Sequence, residues 1–340
     1  MKSSDQILLL ARQEVAQALR GQELEVIRMM DETYRMHAHN QTVDTPSVAL
    51  RFSPESTNRI FAKAAFMPAC DVAGLKWIAS FPGNTRNNME RASGLVVLNS
   101  TTTGRAAAII EGTVISAKRT AASAALAARA LGKPVQRRST GVVGCGLINF
   151  EIVRSLLAVF PHARKFQLFD IDAQRAAQFE TRCHSTFTDV QISIADGAES
   201  VLAENPLVTF ATTAVVPYVK SLDCCQPGSL ILHISLRDLS AEAILSSDNV
   251  TDDVDQVCSA RTSLHLAEQA SGNRNFIRCT LGEVLIGTAP RPAREDSITV
   301  FSPFGLAILD LFIANRLYTS AKKEGRGIPI HGFGDCWDEE

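Results

Sequence analysis

The spacing of apolar residues divides the chain into regions of different period. Residues 47–111 consist of short apolar or alternating runs that are broken by proline, glycine and asparagine, which is typical of a mixed or antiparallel sheet. Residues 12–19 and 22–39 follow a short strand, Ile7–Leu10, and have the spacing of two helices. The alanine-rich run 113–131 predicts one long helix that Gly132 and Pro134 end.

Beyond residue 138 the pattern alternates between strand and helix. Ser139 to Val143 is β-prone and runs into a Gly-Cys-Gly turn, after which Leu147 to Phe160 has helical spacing. Lys165 to Phe169 reads as a second strand, and it closes on Asp170. Strand, glycine turn, helix, strand and acid are the successive parts of a dinucleotide-binding unit.

The chemistry of that unit predicts NAD as the cofactor. Gly144 permits the turn, and Gly146 lets a pyrophosphate approach the backbone and the first amides of the helix, at Leu147 and Ile148. Asp170 is expected to bind the ribose hydroxyls and to repel the 2′-phosphate of NADP. Asn149 replaces the third glycine, so the helix must lie farther out or Asn149 must form a hydrogen bond of its own. A doubly wound domain without a cofactor is the alternative.

Later strands are expected to bring polar residues to the same sheet edge. Runs 207–214 and 229–238 read as strands, with Thr212 and Thr213 at the end of the first and Asp238 at the end of the second. We assign Thr212, Thr213 and Ser235 to the cofactor site. Residues 297–301 read as the last strand, 305–323 as an amphipathic helix that returns to the N-terminal domain, and the tail as irregular.

Bulk properties exclude several classes of function. The 340 residues are 46% hydrophobic and 21% charged, with a net charge of −2, so neither nucleic acid nor a membrane surface is an expected partner. No run of 18 apolar residues and no signal peptide is evident. The eight scattered cysteines read as reduced thiols of a cytoplasmic protein. His37 and His39 diverge on a helix, so no metal site is predicted.

Basic residues interrupt the apolar strands of the first region. Arg51, Lys63 and Lys76 lie in such runs, and a cation inside an apolar strand is costly unless it meets an anion. Lys76 in GLKWIAS is flanked by apolar residues, whereas Lys63 fits a solvated face equally well. Arg119, near the start of the long helix, opposes the helix dipole, which suggests an anionic partner.

Three stretches carry a resemblance to a known family. GLKWIAS (74–80), ISAKRTAAS (115–123) and GEVLIGTAPRPAREDSITVFSPFGLAILDL (282–311), with GCGLI (144–148) between the last two, resemble the ornithine cyclodeaminase/μ-crystallin family over nearly the whole chain. The resemblance implies an α/β fold, in which a Rossmann NAD-binding domain (131–303) joins a discontinuous α+β substrate and dimerisation domain (1–130, completed by 304–340). It also implies a homodimer.

The same resemblance implies roles for individual residues. Arg51, Lys76 and Arg119 match the substrate-carboxylate and catalytic positions of the family, and Asp238 matches its active-site aspartate. The segment SLRDLSAE departs from the usual glycine-containing sequence around that aspartate. Arg91 belongs to a branch pattern, NNMERASGLVVLN, and otherwise reads as a structural arginine paired with Glu90 or Glu111.

That branch is similar to the dehydrogenases that make 2,3-diaminopropionate for siderophores and peptide antibiotics. The resemblance implies NAD-dependent oxidation of N-(2-amino-2-carboxyethyl)-L-glutamate, after a PLP-dependent synthase has made it, to 2,3-diaminopropionate and 2-oxoglutarate. Lys76 would be the base, and Asp238 would orient or activate the water that hydrolyses the imine. Ornithine cyclodeaminase, a ketimine or imine reductase, an amino-acid dehydrogenase and a μ-crystallin-like binding protein remain the alternatives.

Overall fold

A computed structural model describes residues 6–53, 56–87, 89–133 and 138–333. The sequence predictions that concern other residues, among them Asn88, Pro134, Cys336 and the end of the tail, lie outside this part. The described chain forms two compact units. Unit 1 takes in the described residues of Met1–Gln22, His39–Arg119 and Leu306–Glu340, and unit 2 takes in those of Glu23–Ala38 and Thr120–Gly305.

Unit 1 is built from three separate stretches of the chain and combines a sheet with helices. Its elements are β1 (Gln6–Leu10), α1 (Arg12–Ala18), β2 (Val43–Asp44), β3 (Val48–Arg51), β4 (Arg59–Met67), β5 (Val72–Ser80), β6 (Ala92–Asn99), β7 (Ala106–Glu111), the first part of α3 (Gly112–Leu131), α11 (Ala307–Glu324) and β16 (Ile328–His331). The strands form one mixed sheet in the order β16-β1-β7-β6-β5-β4-β2, with β3 also paired to β4. The mixed sheet predicted for residues 47–111 is therefore present.

Strand β16 corrects the expectation that the tail is irregular. It pairs antiparallel with β1, with Ile7 opposite Ile330. Without this strand, β1 would leave a row of backbone groups unpaired at the sheet edge, and pairing them is the physical reason for the extra strand.

The two faces of this sheet differ in their surroundings. Helix α11 packs against β4, β5 and β6. Because alternate side chains point to opposite faces, Lys76 and its cross-strand neighbour Lys63 share one face, on which both are buried. Trp77 points to the other face and is 39% exposed.

Unit 2 is a doubly wound α/β domain. Its elements are α2 (Glu23–Ala38), the rest of α3, β8 (Thr140–Val143), α4 (Leu147–Val159), β9 (Lys165–Phe169), α5 (Ala173–Thr186), β10 (Gln191–Ile194), α6 (Ala198–Glu204), β11 (Leu207–Phe210), β12 (Leu230–His233), α7 (Ala241–Leu245), β13 (Asp248–Thr251), α8 (Val254–Val257), α9 (Ser263–Ser271), β14 (Ile277–Thr280), α10 (Leu281–Ile286) and β15 (Thr299–Ser302). Its strands are fully buried near the sheet centre, as β8, β11 and β12 illustrate.

The strand order of unit 2 fixes where a ligand can bind. The order is β10-β9-β8-β11-β12-β15-β13-β14, and all pairs are parallel. The order reverses at β8, which lies between β9 and β11, and such a switch point opens a crevice at the carboxyl ends of the strands. The predicted α/β fold with a Rossmann-type sheet is confirmed.

Two strands end earlier than the sequence suggested. The run 207–214 is a strand only to Phe210, because Ala214 N–H donates to Thr212 Oγ1 at 3.1 Å in a local turn. The run 229–238 is a strand only to His233, because Ile234 N and Ser235 N both donate to the Phe210 carbonyl. Asp238 therefore lies in the loop after β12 and not at the strand end.

Candidate functional site

Gly144 ends β8 in a conformation that requires glycine. Its φ is +92°, and a Cβ there would lie 2.6 Å from the Ala211 carbonyl oxygen. Its own N–H donates to the Phe169 carbonyl at 2.8 Å. The turn is thus held between the ends of β9 and β11, at the switch point of the sheet.

Gly146 is needed for a different reason. Its φ of −102° suits any residue, and a Cβ built on it would have no atom of the chain within 4 Å. The fold itself therefore does not demand glycine here. The open space lies at the start of α4, where Leu147 and Ile148 begin the helix and the first amides of a helix attract anions. This cradle fits the pyrophosphate of a dinucleotide.

Asn149 replaces the missing third glycine with hydrogen bonds. Its Nδ2 donates to the carbonyls of Val143, at 2.9 Å, and Gly144, at 2.6 Å, and its Oδ1 accepts from Thr209 Oγ1 at 2.9 Å. The side chain is buried and joins the turn, α4 and β11. Of the two arrangements considered for Asn149, the structure has the one in which it forms its own hydrogen bonds.

Asp170 is tied to the glycine turn. Its Oδ2 accepts from Cys145 N–H at 2.7 Å and its Oδ1 from Asp172 N–H at 3.0 Å. A carboxylate has about four acceptor positions, so both oxygens can still accept a ribose hydroxyl. Burial, with a contribution from Asp170, raises the pKa of the Cys145 thiol to about 12, so this cysteine stays protonated.

Asp238 is the centre of a buried hydrogen-bond network. Its carboxylate accepts from the hydroxyls of Thr212 and Ser235 and from Tyr218 OH at 3.2 Å, and Asp238 is 0% exposed. Burial raises the pKa of Asp238, but the neighbouring His233 and the hydrogen bonds from Ser235 and Thr212 outweigh it and hold the pKa below its usual value. The Asp238 carboxylate is therefore ionised, and the hydroxyls of Thr212, Ser235 and Tyr218 are the groups that it orients.

His233 and Tyr218 are members of this network that sequence reasoning missed. His233 Nε2 lies 3.3 Å from Asp238 Oδ2, and its Nδ1 lies 3.1 Å from Ser302 Oγ. Burial, and then the charge of Asp238, raises the pKa of the Tyr218 hydroxyl. A histidine that ends an apolar strand, as in LILH, was the available signal. Thr213, by contrast, is exposed.

Unit 1 holds a second polar cluster, centred on Asp310 of α11. Lys76 Nζ lies 2.6 Å from Asp310 Oδ1 and 2.9 Å from Ser116 Oγ. Arg119 Nε lies 3.2 Å from Asp310 Oδ2. Lys76 is 3% exposed and Asp310 is 1% exposed. The structure thus brings together Lys76 and Arg119, two of the four positions that match the family, around an acid that sequence reasoning missed.

The charges of this cluster set its protonation. Burial and then Arg119 lower the pKa of Lys76 to about 7, although Asp310 opposes them. Burial raises the pKa of Asp310, but Arg119, Lys76 and Lys63 outweigh it, so the net shift is downward. Asp310 is therefore an anion held mainly by Arg119, and Lys76 can lose its proton near neutral pH.

Arg91 lies apart from the Asp310 cluster. Its Nη1 donates to Ser80 Oγ at 2.7 Å, and burial lowers its pKa. Both acids considered as structural partners have other roles. Glu90 pairs with Arg12 at 2.5 Å, and Glu111 accepts from Thr113 N–H and Val114 N–H at the start of α3. Neither observation supports the purely structural interpretation of Arg91.

Arg51 lies on β3, with its backbone opposite Arg59 of β4, and its side chain is exposed. Across the next strand pair, Arg59 is opposite Ser80 of β5, the residue that Arg91 contacts. Arg51, Arg59 and Ser80 thus form one cross-strand row, and Arg91 contacts the Ser80 of that row. Lys76 belongs to a separate row, with Lys63.

Other candidate features have simpler roles. Within the described ranges, no group of three His, Cys, Asp or Glu residues could hold a metal ion. His37 lies 3.9 Å from Asp253 and helps to lower the pKa of that carboxyl. None of the helices in the described part is long and apolar enough to cross a bilayer. The seven cysteines of that part are free thiols.

Comparison with known proteins extends these observations. The profile of the ornithine cyclodeaminase/mu-crystallin family matches residues 6–325. A relative from Staphylococcus aureus, named N-((2S)-2-amino-2-carboxyethyl)-L-glutamate dehydrogenase, is 28% identical over 333 residues, which cover 96% of this chain and 98% of the relative.

Two solved structures share the fold. An archaeal alanine dehydrogenase dimer with bound NAD is 26% identical, with a TM-score of 0.84, and the match covers 96% of this chain and 99% of that one. The Thermococcus litoralis Delta(1)-pyrroline-2-carboxylate reductase, in complex with NADH and L-proline, is 22% identical with a TM-score of 0.87, covering 95% of this chain and 100% of that one. The latter likeness concerns the fold.

Proposed function

The chain belongs to the ornithine cyclodeaminase/mu-crystallin family, and from this premise we propose that it is an NAD-dependent oxidoreductase acting on an amino acid. The Staphylococcus aureus relative and the archaeal alanine dehydrogenase are both named as dehydrogenases of amino acids, and the alanine dehydrogenase structure contains NAD. The glycine turn, the open cradle at Gly146 and the carboxylate of Asp170 support the same cofactor in this chain.

The substrate that we propose is N-(2-amino-2-carboxyethyl)-L-glutamate, oxidised to 2,3-diaminopropionate and 2-oxoglutarate. The observation that carries the proposal is the cluster of basic residues on the buried face of the unit 1 sheet. Lys76 and Arg119 contact Asp310, and Lys63, the cross-strand neighbour of Lys76, also lowers the pKa of that acid. Basic side chains that lie close together in a buried site favour the binding of an anion there. A substrate with three carboxylates is such an anion.

Arginine and lysine have different parts in binding. A guanidinium presents a planar fork of donors that suits a carboxylate, so we assign carboxylate binding to Arg51, Arg91 and Arg119. Asp310 holds the guanidinium of Arg119 at its Nε edge, with Oδ2 3.2 Å from that nitrogen. The Lys76 ammonium is a point contact, and its lowered pKa suits it to proton transfer instead.

The proposed reaction begins with loss of a proton from the substrate. Bound NAD⁺ supplies the acceptor for the hydride that leaves the glutamate α-carbon. The substrate nitrogen must be neutral for this step, and neutral Lys76 takes its proton, directly or through water. Ser116 and Asp310 hold the Lys76 Nζ in place, at 2.9 and 2.6 Å. The substrate then contains a carbon–nitrogen double bond.

Water completes the reaction by adding to that bond, after which the carbon–nitrogen bond breaks. The products are 2-oxoglutarate and 2,3-diaminopropionate. The hydroxyls of Thr212 and Ser235 donate to Asp238, so their lone pairs can accept from a water molecule. We therefore propose that Asp238 orients water through these hydroxyls, since its own carboxylate is fully buried.

The first test is an activity assay with purified protein and NAD⁺. One tube contains N-(2-amino-2-carboxyethyl)-L-glutamate and a parallel tube contains ornithine. We expect NADH and 2-oxoglutarate to appear together in the first tube. Proline and ammonia in the second tube, without net NADH, would instead identify a cyclodeaminase. A protein that consumes NADH with an imine or keto acid would be a reductase.

We also propose that the protein is a homodimer joined through the outer face of the unit 1 sheet. This face carries exposed apolar side chains on four adjacent strands: Val48, Leu50, Phe66, Trp77 and Leu95. Contiguous apolar patches of this kind mark interfaces. The related alanine dehydrogenase was solved as a dimer.

A charge on this face should separate the subunits. We expect Trp77→Glu to give a monomer in size-exclusion chromatography with light scattering, because burying a carboxylate opposite its own copy is costly. Leu24→Glu, at an exposed apolar position of unit 2, is the control. A dimer that survives Trp77→Glu would refute this interface.

We also propose that a PLP-dependent synthase makes the substrate of this protein and that the protein is cytoplasmic.

A further inference from the structure

A buried histidine and the loop after β12 hold Asp238 in place. His233 ends β12, Asp238 follows five positions later, and both are 0% exposed. Leu236 lies between them with a φ of +67°, a left-handed conformation that is strained for a residue with a branched side chain. The turn returns the chain, so that His233 Nε2 lies 3.3 Å from Asp238 Oδ2. The fold thus contains local strain where it sets the position of this carboxylate.

The contacts of the His233 ring indicate which of its nitrogens carries the proton. Nε2 faces the Asp238 carboxylate at 3.3 Å and the Asp238 N–H at 3.2 Å, and it cannot donate to the first while it accepts from the second. A hydrogen bond to an ionised carboxylate is roughly twice as strong as one between neutral groups. The proton therefore belongs on Nε2, and Nδ1 accepts from the hydroxyl of Ser302, whose Oγ lies 3.1 Å away.

The Asp238 carboxylate in turn sets the direction of three hydroxyls. Its Oδ2 accepts from Ser235, and its Oδ1 accepts from Thr212 and Tyr218. The carboxylate is fully buried, whereas Ser235 and Thr212 are half-buried and Tyr218 is exposed. A hydroxyl turns to follow its acceptor, so a rotation of the carboxylate would redirect all three. The donor on His233 Nε2 opposes such a rotation, because it binds the same Oδ2.

We propose that His233 is a positioning residue for the hydrolysis step. Ser302 selects the ring tautomer, and the Nε2–H of His233 then fixes Asp238. Asp238 holds the hydroxyls of Thr212 and Ser235 so that their lone pairs accept from the attacking water. His233 is buried and acts through Asp238, not on the substrate. This inference rests on the proposed function and adds a residue that serves only one half of the reaction: without it, hydride transfer continues and hydrolysis slows.

The test uses two substitutions that each imitate one nitrogen of the His233 ring. The side-chain amide of glutamine reaches the position of Nε2, whereas that of asparagine reaches only the position of Nδ1. His233→Gln can therefore still donate to Asp238, and His233→Asn cannot. His184→Asn, at an exposed histidine of α5, is the control. NADH absorbance with the proposed substrate reports the first turnover by stopped flow and then the steady state.

The two readouts should separate in His233→Asn. We expect its first turnover to form NADH at a rate within about threefold of wild type, while kcat falls about thirtyfold, the effect of one lost charge-assisted hydrogen bond. His233→Gln should keep kcat within about threefold of wild type, and His184→Asn should change nothing. Equal loss of the first turnover and of kcat in His233→Asn would mean that His233 only maintains the fold. That result, or equal loss of kcat in the glutamine and asparagine variants, would overturn the positioning role.

Ser302→Ala keeps the ring of His233 and serves if the asparagine variant does not fold. It should lower kcat about threefold to tenfold at an unchanged first turnover, and an unchanged kcat would refute the tautomer. If the wild type forms no NADH, the proposed function fails. Nitrogen-15 NMR of the histidine rings, which needs no substrate, then decides the geometry, with His233 assigned by its shift in Ser302→Ala. A proton on Nε2 supports the positioning role, and a proton on Nδ1 alone refutes it.

Discussion

Replacing Asp310 by asparagine removes the anion that lies between Lys76 and Arg119. The side chain keeps its size, so the change is mainly electrostatic. Lys76 Nζ lies 2.6 Å from the carboxylate. At this distance, even the dielectric constant of bulk water leaves an attraction of about 1.6 kcal/mol, which is about one pKa unit. In the buried cluster the attraction is larger.

Loss of this attraction should lower the pKa of Lys76 from about 7 to about 6 or below. The other charged groups that face Lys76, Arg119 on α3 and Lys63 on β4, are cations and act in the same direction. If neutral Lys76 is the base, kcat/KM in wild type should rise with pH through about 7. In Asp310→Asn the same rise should occur at least one pH unit lower, with a smaller plateau, since a weaker base transfers the proton more slowly.

The assay is the pH profile of kcat/KM for substrate oxidation, measured by NADH absorbance. Ionisation of the substrate is the same for both proteins, so a displaced limb belongs to the enzyme. Asp44→Asn is the matched control, because Asp44 accepts from Ala307 N–H on the same helix, at 2.9 Å, outside the contacts of Lys76. A limb that stays in place, or moves to higher pH, in Asp310→Asn would refute the assignment of Lys76.

Three further predictions concern individual residues. Lys76→Ala should lower kcat at least a hundredfold and leave the Kd of NAD unchanged, by stopped-flow and fluorescence titration, since it removes the base and not the cofactor site. Asp170→Asn should raise the KM of NAD and lower that of NADP, because it removes a charge that repels the 2′-phosphate; Asp172→Asn, at the start of α5, should not. Gly146→Ala should weaken NAD binding at least tenfold at an unchanged melting temperature, whereas Gly144→Ala should lower that temperature, because only the second meets a positive φ and a close carbonyl.

The parts of the fold that could be predicted from sequence are those fixed by neighbours in the chain. The glycine turn, α4 and Asp170 all lie within residues 144–170, and each has a local signal. Lys76 could be singled out because a cation in an apolar strand has no local explanation. These predictions needed only the spacing of apolar residues along the chain and the chemistry of single side chains.

The parts that could not be predicted depend on distant residues. Asp310 is 234 positions from Lys76, and only the packing of α11 on the sheet brings the two together. A lone acid within the apolar run GLAILDLF was a signal of burial, but not of its partner. Asp238 was expected at a strand end, and the turn that removes it from the strand uses the carbonyl of Phe210 on another strand.

The distribution of charge also bears on the choice between the proposed dehydrogenase and ornithine cyclodeaminase. Ornithine has one carboxylate and a cationic tail, so one row of cations would satisfy its carboxylate and the other would face its ammonium. Two like charges about 5 Å apart repel by about 3 kcal/mol at an effective dielectric constant of 20, which is about a hundredfold in affinity. With Arg51 and Arg91 in their proposed role at that end of the substrate, ornithine should bind more weakly than an amino acid with a second carboxylate. The proposed roles of Arg51 and Arg91 therefore predict a substrate with an acidic tail.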